Sequence, residues 1–418
     1  MNIKKELIGG LTTFLTMSYI IFVNPAILST PGTGMSFSGV LTATVLLASS
    51  MTLLMGLYAK LPYAIAPGMG LNAFFTFTLV LGEKIPWPTA LGLVFWSGIF
   101  FLVISLTPLR EQIALALPKN IKIATASGIG FLLVFIGLKN AGIIIADPAT
   151  FVTIGKMNET ALYTILGLLL AIYFTLKKNP FAFLITIFSL SAIAFLRGKV
   201  SMPTEFFSSP DFTSVMFKLD IWDALRWSLL PAIISLMLTD LFDSISSFLG
   251  VARAANLMDE KGEPKNLKKA LVVDAIATMS SGLLGTSSGT TFIESASGIQ
   301  AGGRTGLSSV FTALFFLPCL FIAPLVVSIP AFATAPVLIL VGFMMGRSIL
   351  EVNQEEMESW LPALATTIII TLSFSISKGL MWGIFLHIML KVFTGKTKEI
   401  SPLLWGLGIV SILYLFII

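Results

Sequence analysis

Four carboxylates stand inside stretches that are otherwise apolar or made of small residues. Glu294 lies in SSGTTFIESASGIQAGGRTG, Asp240 and Asp243 lie in LTDLFDSISSFLGVA, and Asp274 lies in ALVVDAIAT. A carboxylate at the centre of a membrane helix costs roughly 2.5 to 3.5 kcal/mol on insertion scales, so Glu294 is expected to face a cavity and carry function. The competing reading is structural: Glu294 pairs with Arg304 or caps a broken helix. Asp240 and Asp243 are three apart and share one side of a helix, which Ser244 and Ser247 extend by a turn. Two acids so placed suit reversible proton carriage. Only one need touch a ligand, and Asp240 is expected to hydrogen-bond to neighbouring helices instead. Asp274 has no basic neighbour in sequence and is expected to support the same network.

Other chemistries find no material here. One histidine, His387, leaves too few soft ligands for an ordinary zinc site, and the single cysteine, Cys319, excludes a disulfide within the chain. No metal or cofactor is expected. The glycine-rich stretch holds no phosphate-cradling GxxxxGK[ST]. No nucleophile, base and orienting acid combine into a catalytic set, so an enzyme embedded in the membrane is not expected.

The elements that must position these acids are membrane helices. With 56% apolar and 11% charged residues and a mean hydropathy of +0.94, the chain cannot form a soluble globule. Long unbroken apolar runs also exclude the alternating strands of a membrane barrel. The apolar runs give about fourteen spans, an all-α polytopic architecture. The first run is read as a first membrane helix, not a removed signal. With a cytoplasmic N-terminus, most basic residues fall on the inner side, among them Lys4, Lys5, Lys60, Lys177, Lys178, Lys268, Lys269, Arg304, Lys396 and Lys398. The net charge of +5 therefore reflects orientation and gives no reason to expect nucleic acid as a partner. A multi-pass protein of the cell membrane is expected. The last apolar run, 402–418, is either an interfacial helix or a further span.

Spans three (67–81) and ten (290–302) are short and open with helix breakers or small polar residues. Aligned on Pro67 and Gly289, they set Asn72 opposite Glu294, and they lie an odd number of spans apart. That pattern is the signature of two inverted repeats whose broken helices meet at the midplane. The expected organisation is a first repeat at 1–197, an extracellular connector at 198–227, a second repeat at 228–393 and an apolar tail at 394–418. Half-helix N-termini present free N–H groups to a cavity where a planar polar ligand can sit. Phe74 and Phe75 follow the first break and can stack on a ring, although packing within the protein or against lipid explains them as well.

The stretches GLTTFLTMSYIIFVNPAIL, PYAIAPGMGLNAFFTFT, LTDLFDSISSFLGVA, LVVDAIATMSSGLLGTSSGTTFIESASGIQAGGRTGL and SPLLWGLG, in this order, resemble the azaguanine-type adenine, guanine and hypoxanthine permeases. These belong to the nucleobase-cation symporters of the nucleobase-ascorbate transporter group. The resemblance implies a core domain (spans 1 to 4 and 8 to 11) and a gate domain (spans 5 to 7 and 12 to 14). It implies import of a purine nucleobase with protons as the coupling ion, and it raises a homodimer through the gate domain. Carried over by local pattern, Asp243 and Glu294 bind the base, with backbone from Gly70, Leu71 and Asn72. Thr290, Thr291 and Phe74 are further candidate substrate contacts. Asp240, Asp274 and Ser247 join Asp243 and Glu294 as candidates for proton coupling or its supporting network. Uracil-type members carry histidine four residues after the span-eight acid; here that position is Ser247, which argues against a histidine proton step. The alternative is a transporter of the same fold for uracil, xanthine or an inorganic anion.

Overall fold

The computed structural model describes residues 2–107, 118–201, 203–255, 257 and 265–416. Apolar runs become helices, as a bilayer demands when every backbone group must pair within its own segment. The first span is α1 (Ile3–Met17) followed by α2 (Ile20–Leu28), interrupted at Ser18 and Tyr19. Then come α3 (Phe37–Leu54), β1 (Ile65–Pro67), α4 (Met69–Ala73), which widens into a π-helix over Phe74–Gly82, and α5 (Trp87–Leu106). After α6 (Lys119–Asn140), a hairpin of β2 (Ile144–Asp147) and β3 (Phe151–Ile154) leads to α7 (Glu159–Leu176) and α8 (Ala182–Leu196). The second half runs α9 (Leu230–Ala255), α10 (Leu267–Leu284), β4 (Gly289–Thr291), α11 (Ser295–Gln300), α12 (Gly306–Phe316) and α13 (Ala323–Val327). It closes with α14 (Ala331–Gly346), α15 (Met357–Ser373), α16 (Ile376–Phe393) and α17 (Pro402–Phe416). Among the described residues eight helices are long and apolar enough to cross a membrane, and shorter apolar helices such as Met69–Gly82 and Gly306–Phe321 supply other spans. Among the described residues the result is a predominantly helical, multi-span fold with four short strands between its helices.

Spans three and ten depart from plain short helices. Each begins as a strand, and β1 pairs antiparallel with β4 in the register Ile65 to Thr291, Ala66 to Thr290 and Pro67 to Gly289. The Gly68 N–H extends the ladder to the Ser288 carbonyl at 3.0 Å. Pro67 and Gly289 are the same two positions that the sequence aligns between the expected repeats, and they stand opposite each other in this ladder. The physical reason for the strands is local: proline, glycine and a run of Ser and Thr cannot hold a helix, and two extended segments satisfy their backbones against each other.

Helices pack in two sets. One joins α1 to α11 and α12, α2 and α12 to α3, and α5 to α9 and α10; the other joins α6 to α14 and α15, α14 to α7 and α8, and α15 to α16. Small residues bring axes close, as expected where apolar burial alone gives helices no reason to associate. A Cβ added to Gly98 of α5 would lie 2.4 Å from the Met279 backbone, and one on Gly130 of α6 would lie 2.6 Å from the Gly342 carbonyl. The two sets meet through α4 with α6, α2 with α14, α1 with α8, and α9 with α6 and α16.

The tail runs back along α16. A Cβ on Gly408 would lie 2.4 Å from Ile388, and the Ser411 hydroxyl reaches Met381 Sδ at 3.2 Å, so α17 packs back along α16. Residues 417 and 418 at its end lie outside the described residues.

On the opposite face the connector is pinned by Asp211, which accepts from Ser214 at 2.6 Å, Ser38 at 2.8 Å and Ser36 at 3.2 Å, while its own N–H donates to Thr42 at 3.0 Å.

Candidate functional site

The acids converge on three consecutive residues of β4. Thr290 hydrogen-bonds to Asp243 of α9, and its hydroxyl is 3.3 Å from that of Ser244. Thr291 donates to Asp274 Oδ1 at 3.2 Å, and Ser244 donates to Asp274 Oδ2. Gly289 is held at both ends: its N–H donates to Ser281 at 3.0 Å and its carbonyl accepts from Thr278 at 3.3 Å. Thr278 also donates to Asp240. A strand of small hydroxylated residues lies between α9 and α10 and bonds to both. Each hydroxyl then serves as a donor to a carboxylate that would otherwise be buried without one.

Burial separates the acids. Asp240 and Asp274 are fully enclosed, with Asp240 turned to α10 and its Oδ1 without a partner. Asp243 and Ser247, a turn apart, are half-buried, as is Glu294. Glu294 immediately precedes α11 and makes no capping bond to it. Its Oε1 accepts from the Tyr19 hydroxyl at 2.7 Å, and among the described residues no lysine or arginine pairs with it. Arg304 instead offers its backbone N–H to Glu6 at 3.3 Å. Asp243 and Glu294 lie near enough for their charges to interact. The site therefore presents two half-exposed carboxylates flanking a short antiparallel ribbon, backed by two buried ones.

The span-three candidates are placed as follows. Gly70 is half-buried in the first turn of α4, whose leading N–H groups have no helical partner. A Cβ there would lie 2.8 Å from Ile129 Cγ2 of α6 and 3.7 Å from Met345 Cε of α14. Leu71, Asn72 and Phe74 are enclosed, and Phe74 belongs to the main apolar cluster, so its ring faces packed side chains. Asn72 accepts from Ser287, leaving its Nδ2 unpartnered. Asn24, one residue before the proline of α2, donates to Thr44 at 2.7 Å and Thr286 at 2.9 Å.

Tyr19 was not among the residues singled out from sequence. The available signal is the Ser-Tyr pair in the middle of the first span, which coincides with the break between α1 and α2. Among the described residues no cluster of His, Cys, Asp and Glu is arranged to hold a metal ion.

The "Permease family" model matches residues 4–382. The Escherichia coli adenine permease AdeP is 38% identical over 400 residues, covering 96% of this chain and 89% of that one. The Bacillus subtilis guanine/hypoxanthine permease PbuO is 38% identical over 426 residues, covering 100% and 98%. Among solved structures, the transmembrane domain of a cyanobacterium bicarbonate transporter, BicA, matches with a TM-score of 0.66 at 19% identity over 92% of this chain and 97% of that one. At that identity the likeness concerns the fold.

Proposed function

The chain belongs to the permease family, and on that premise we propose that it imports purine nucleobases across the cell membrane by proton symport. The observation that carries this reading is Glu294. It is a half-buried residue with one carboxylate oxygen tied to Tyr19 and no cationic partner among the described residues, set beside Asp243 next to the ribbon. Purines carry N–H donors and ring-nitrogen acceptors on flat edges. Glu294 and Asp243 accept from the N–H groups, and the first-turn amides of α4 donate to a carbonyl or ring nitrogen. Relatives named for adenine and for guanine/hypoxanthine support the purine class.

Proton coupling follows from the cost of an unpaired charge in an occluded cavity. One of the two acids takes a proton as the base binds. The ribbon then moves with the α1–α5 and α9–α12 set against the α6–α8 and α14–α16 set, giving alternating access with the N-terminus cytoplasmic. An inorganic-anion carrier is disfavoured because two carboxylates face the ligand.

The test is uptake of radiolabelled hypoxanthine into proteoliposomes, with and without an inward proton gradient, competed by adenine, guanine and uracil. Gradient-dependent accumulation that yields to purines and not to uracil is expected. Saturable uptake that ignores the gradient removes the coupling. Flux of chloride or bicarbonate without purine uptake removes the substrate assignment.

A further inference from the structure

We propose that Tyr19 is a positioning residue that ties the Glu294 carboxylate to the packing of α8, the gate-side helix against the first span. The proposal rests on purine binding at Glu294 as read above. Three contacts meet on the Tyr19 side chain, which is 2% exposed. Its hydroxyl donates to Glu294 Oε1 at 2.7 Å. Its ring stands edge-on to Phe183 of α8, with centroids 5.0 Å apart and planes at 77°. The same ring meets Phe292, two residues before Glu294, at 6.5 Å. A turn further along, Phe22 of α2 repeats the arrangement with Phe188 of α8 at 5.6 Å and 83°.

The arrangement has two consequences. With Oε1 occupied by Tyr19, the orientation of the carboxylate is set and its other oxygen is the one a ligand meets. The residue that sets it is itself held by a side chain of the opposite helix set, because tyrosine offers an apolar face and a polar tip at once. A change in how Glu294 is bonded therefore reaches the α2–α8 seam through one ring, and loosening the seam frees the hydroxyl.

A double-mutant cycle on the full-length protein in detergent and in proteoliposomes tests this, with equilibrium hypoxanthine binding and uptake kinetics read together. Tyr19→Phe keeps the ring and the seam; it is expected to weaken binding about tenfold and to raise KM with turnover nearly retained, the loss of one hydrogen bond to a charged acceptor. Phe183→Ala is expected to weaken binding about threefold when Tyr19 is present and to have no effect on binding in the Tyr19→Phe background, the signature of coupled residues. An unchanged affinity in Tyr19→Phe, or an equal effect of Phe183→Ala in both backgrounds, overturns the proposal. A wild type that binds no purine overturns the functional reading itself, and this assignment with it.

Discussion

Glu294→Gln is the sharpest perturbation of the site, because it removes a charge while keeping size and one acceptor oxygen. The Tyr19 hydroxyl, 2.7 Å from Oε1, continues to donate to the amide oxygen. In the proposed binding mode that choice turns the amide nitrogen toward the ligand and replaces an acceptor by a donor where a purine N–H would arrive. The ligand loses a hydrogen bond to a charged acceptor, about 1.5 to 3 kcal/mol, which is roughly ten- to hundredfold in Kd. Since no lysine or arginine among the described residues pairs with Glu294, removal of its charge leaves no cation stranded. The variant is therefore expected to be at least as thermally stable as the wild type, as is common when a functional charge is neutralised. Equilibrium binding of hypoxanthine in detergent, with a melting curve on the same sample, measures both. A Kd within about threefold of wild type refutes the assignment of Glu294 to the ligand. Weak binding together with a lowered melting temperature refutes it differently, by making Glu294 a structural residue.

Three further outcomes are expected. Ser244→Ala removes one of the donors to the buried Asp274 and should destabilise the protein by about 2 kcal/mol, read as a lower inactivation temperature; Ser247→Ala, half-buried and outside that network, should leave it in place. Gly70→Val drives a side chain into Ile129, 2.8 Å from the first added atom, and should penalise the state in which α4 meets α6 by about 1 to 3 kcal/mol, slowing uptake; Ile129→Ala in the same chain should restore it. Asp211 gives a pH dependence. Partial burial pushes its carboxyl up, but Ser214, Ser38 and the N–H groups of Ser214 and Thr213 outweigh that and hold it well below the usual carboxylate range. A depressed folded value means stability that is full above the ordinary carboxylate range and lost as pH falls toward the folded value. The melting temperature of the wild type should thus decline relative to Asp211→Asn between about pH 5 and about pH 3, and curves that stay parallel would remove Asp211 as an anchor.

Helix positions were legible because an apolar run of about 20 residues has few alternatives in a bilayer. Apolar runs place spans at 160–176 and 268–284, and the helices there are Glu159–Leu176 and Leu267–Leu284. The three acids of α9 and α10 were visible as charges in apolar context, and Asp240 bonds to the neighbouring helix α10 as expected, but the identity of the partners was not legible. Asp240 and Asp243 share a helix side, and only the presence of Thr278 on one flank and Thr290 on the other separates their surroundings. The strands could not be read at all. Pairing of Ile65–Pro67 with Gly289–Thr291 is a contact between distant three-residue segments, and neither has the alternation or length that marks a strand locally. Tyr19 escaped for the related reason that its partner lies 275 residues away.

That pairing also bears on how the protein is made. Within the first half the Thr52 hydroxyl meets the Ile65 N–H and carbonyl, but the strand partner of Ile65–Pro67 is Gly289–Thr291, about 220 residues later, which at ordinary synthesis rates is roughly ten to forty seconds. Through that interval the first half sits in the bilayer with an open strand edge at the depth where unpaired peptide groups are least tolerated. The ribbon is therefore a late lock: the nascent first repeat depends on water, an insertase or a chaperoning helix to shelter that edge. Truncation anywhere before Gly289 should yield a chain that inserts but is recognised and degraded as incomplete.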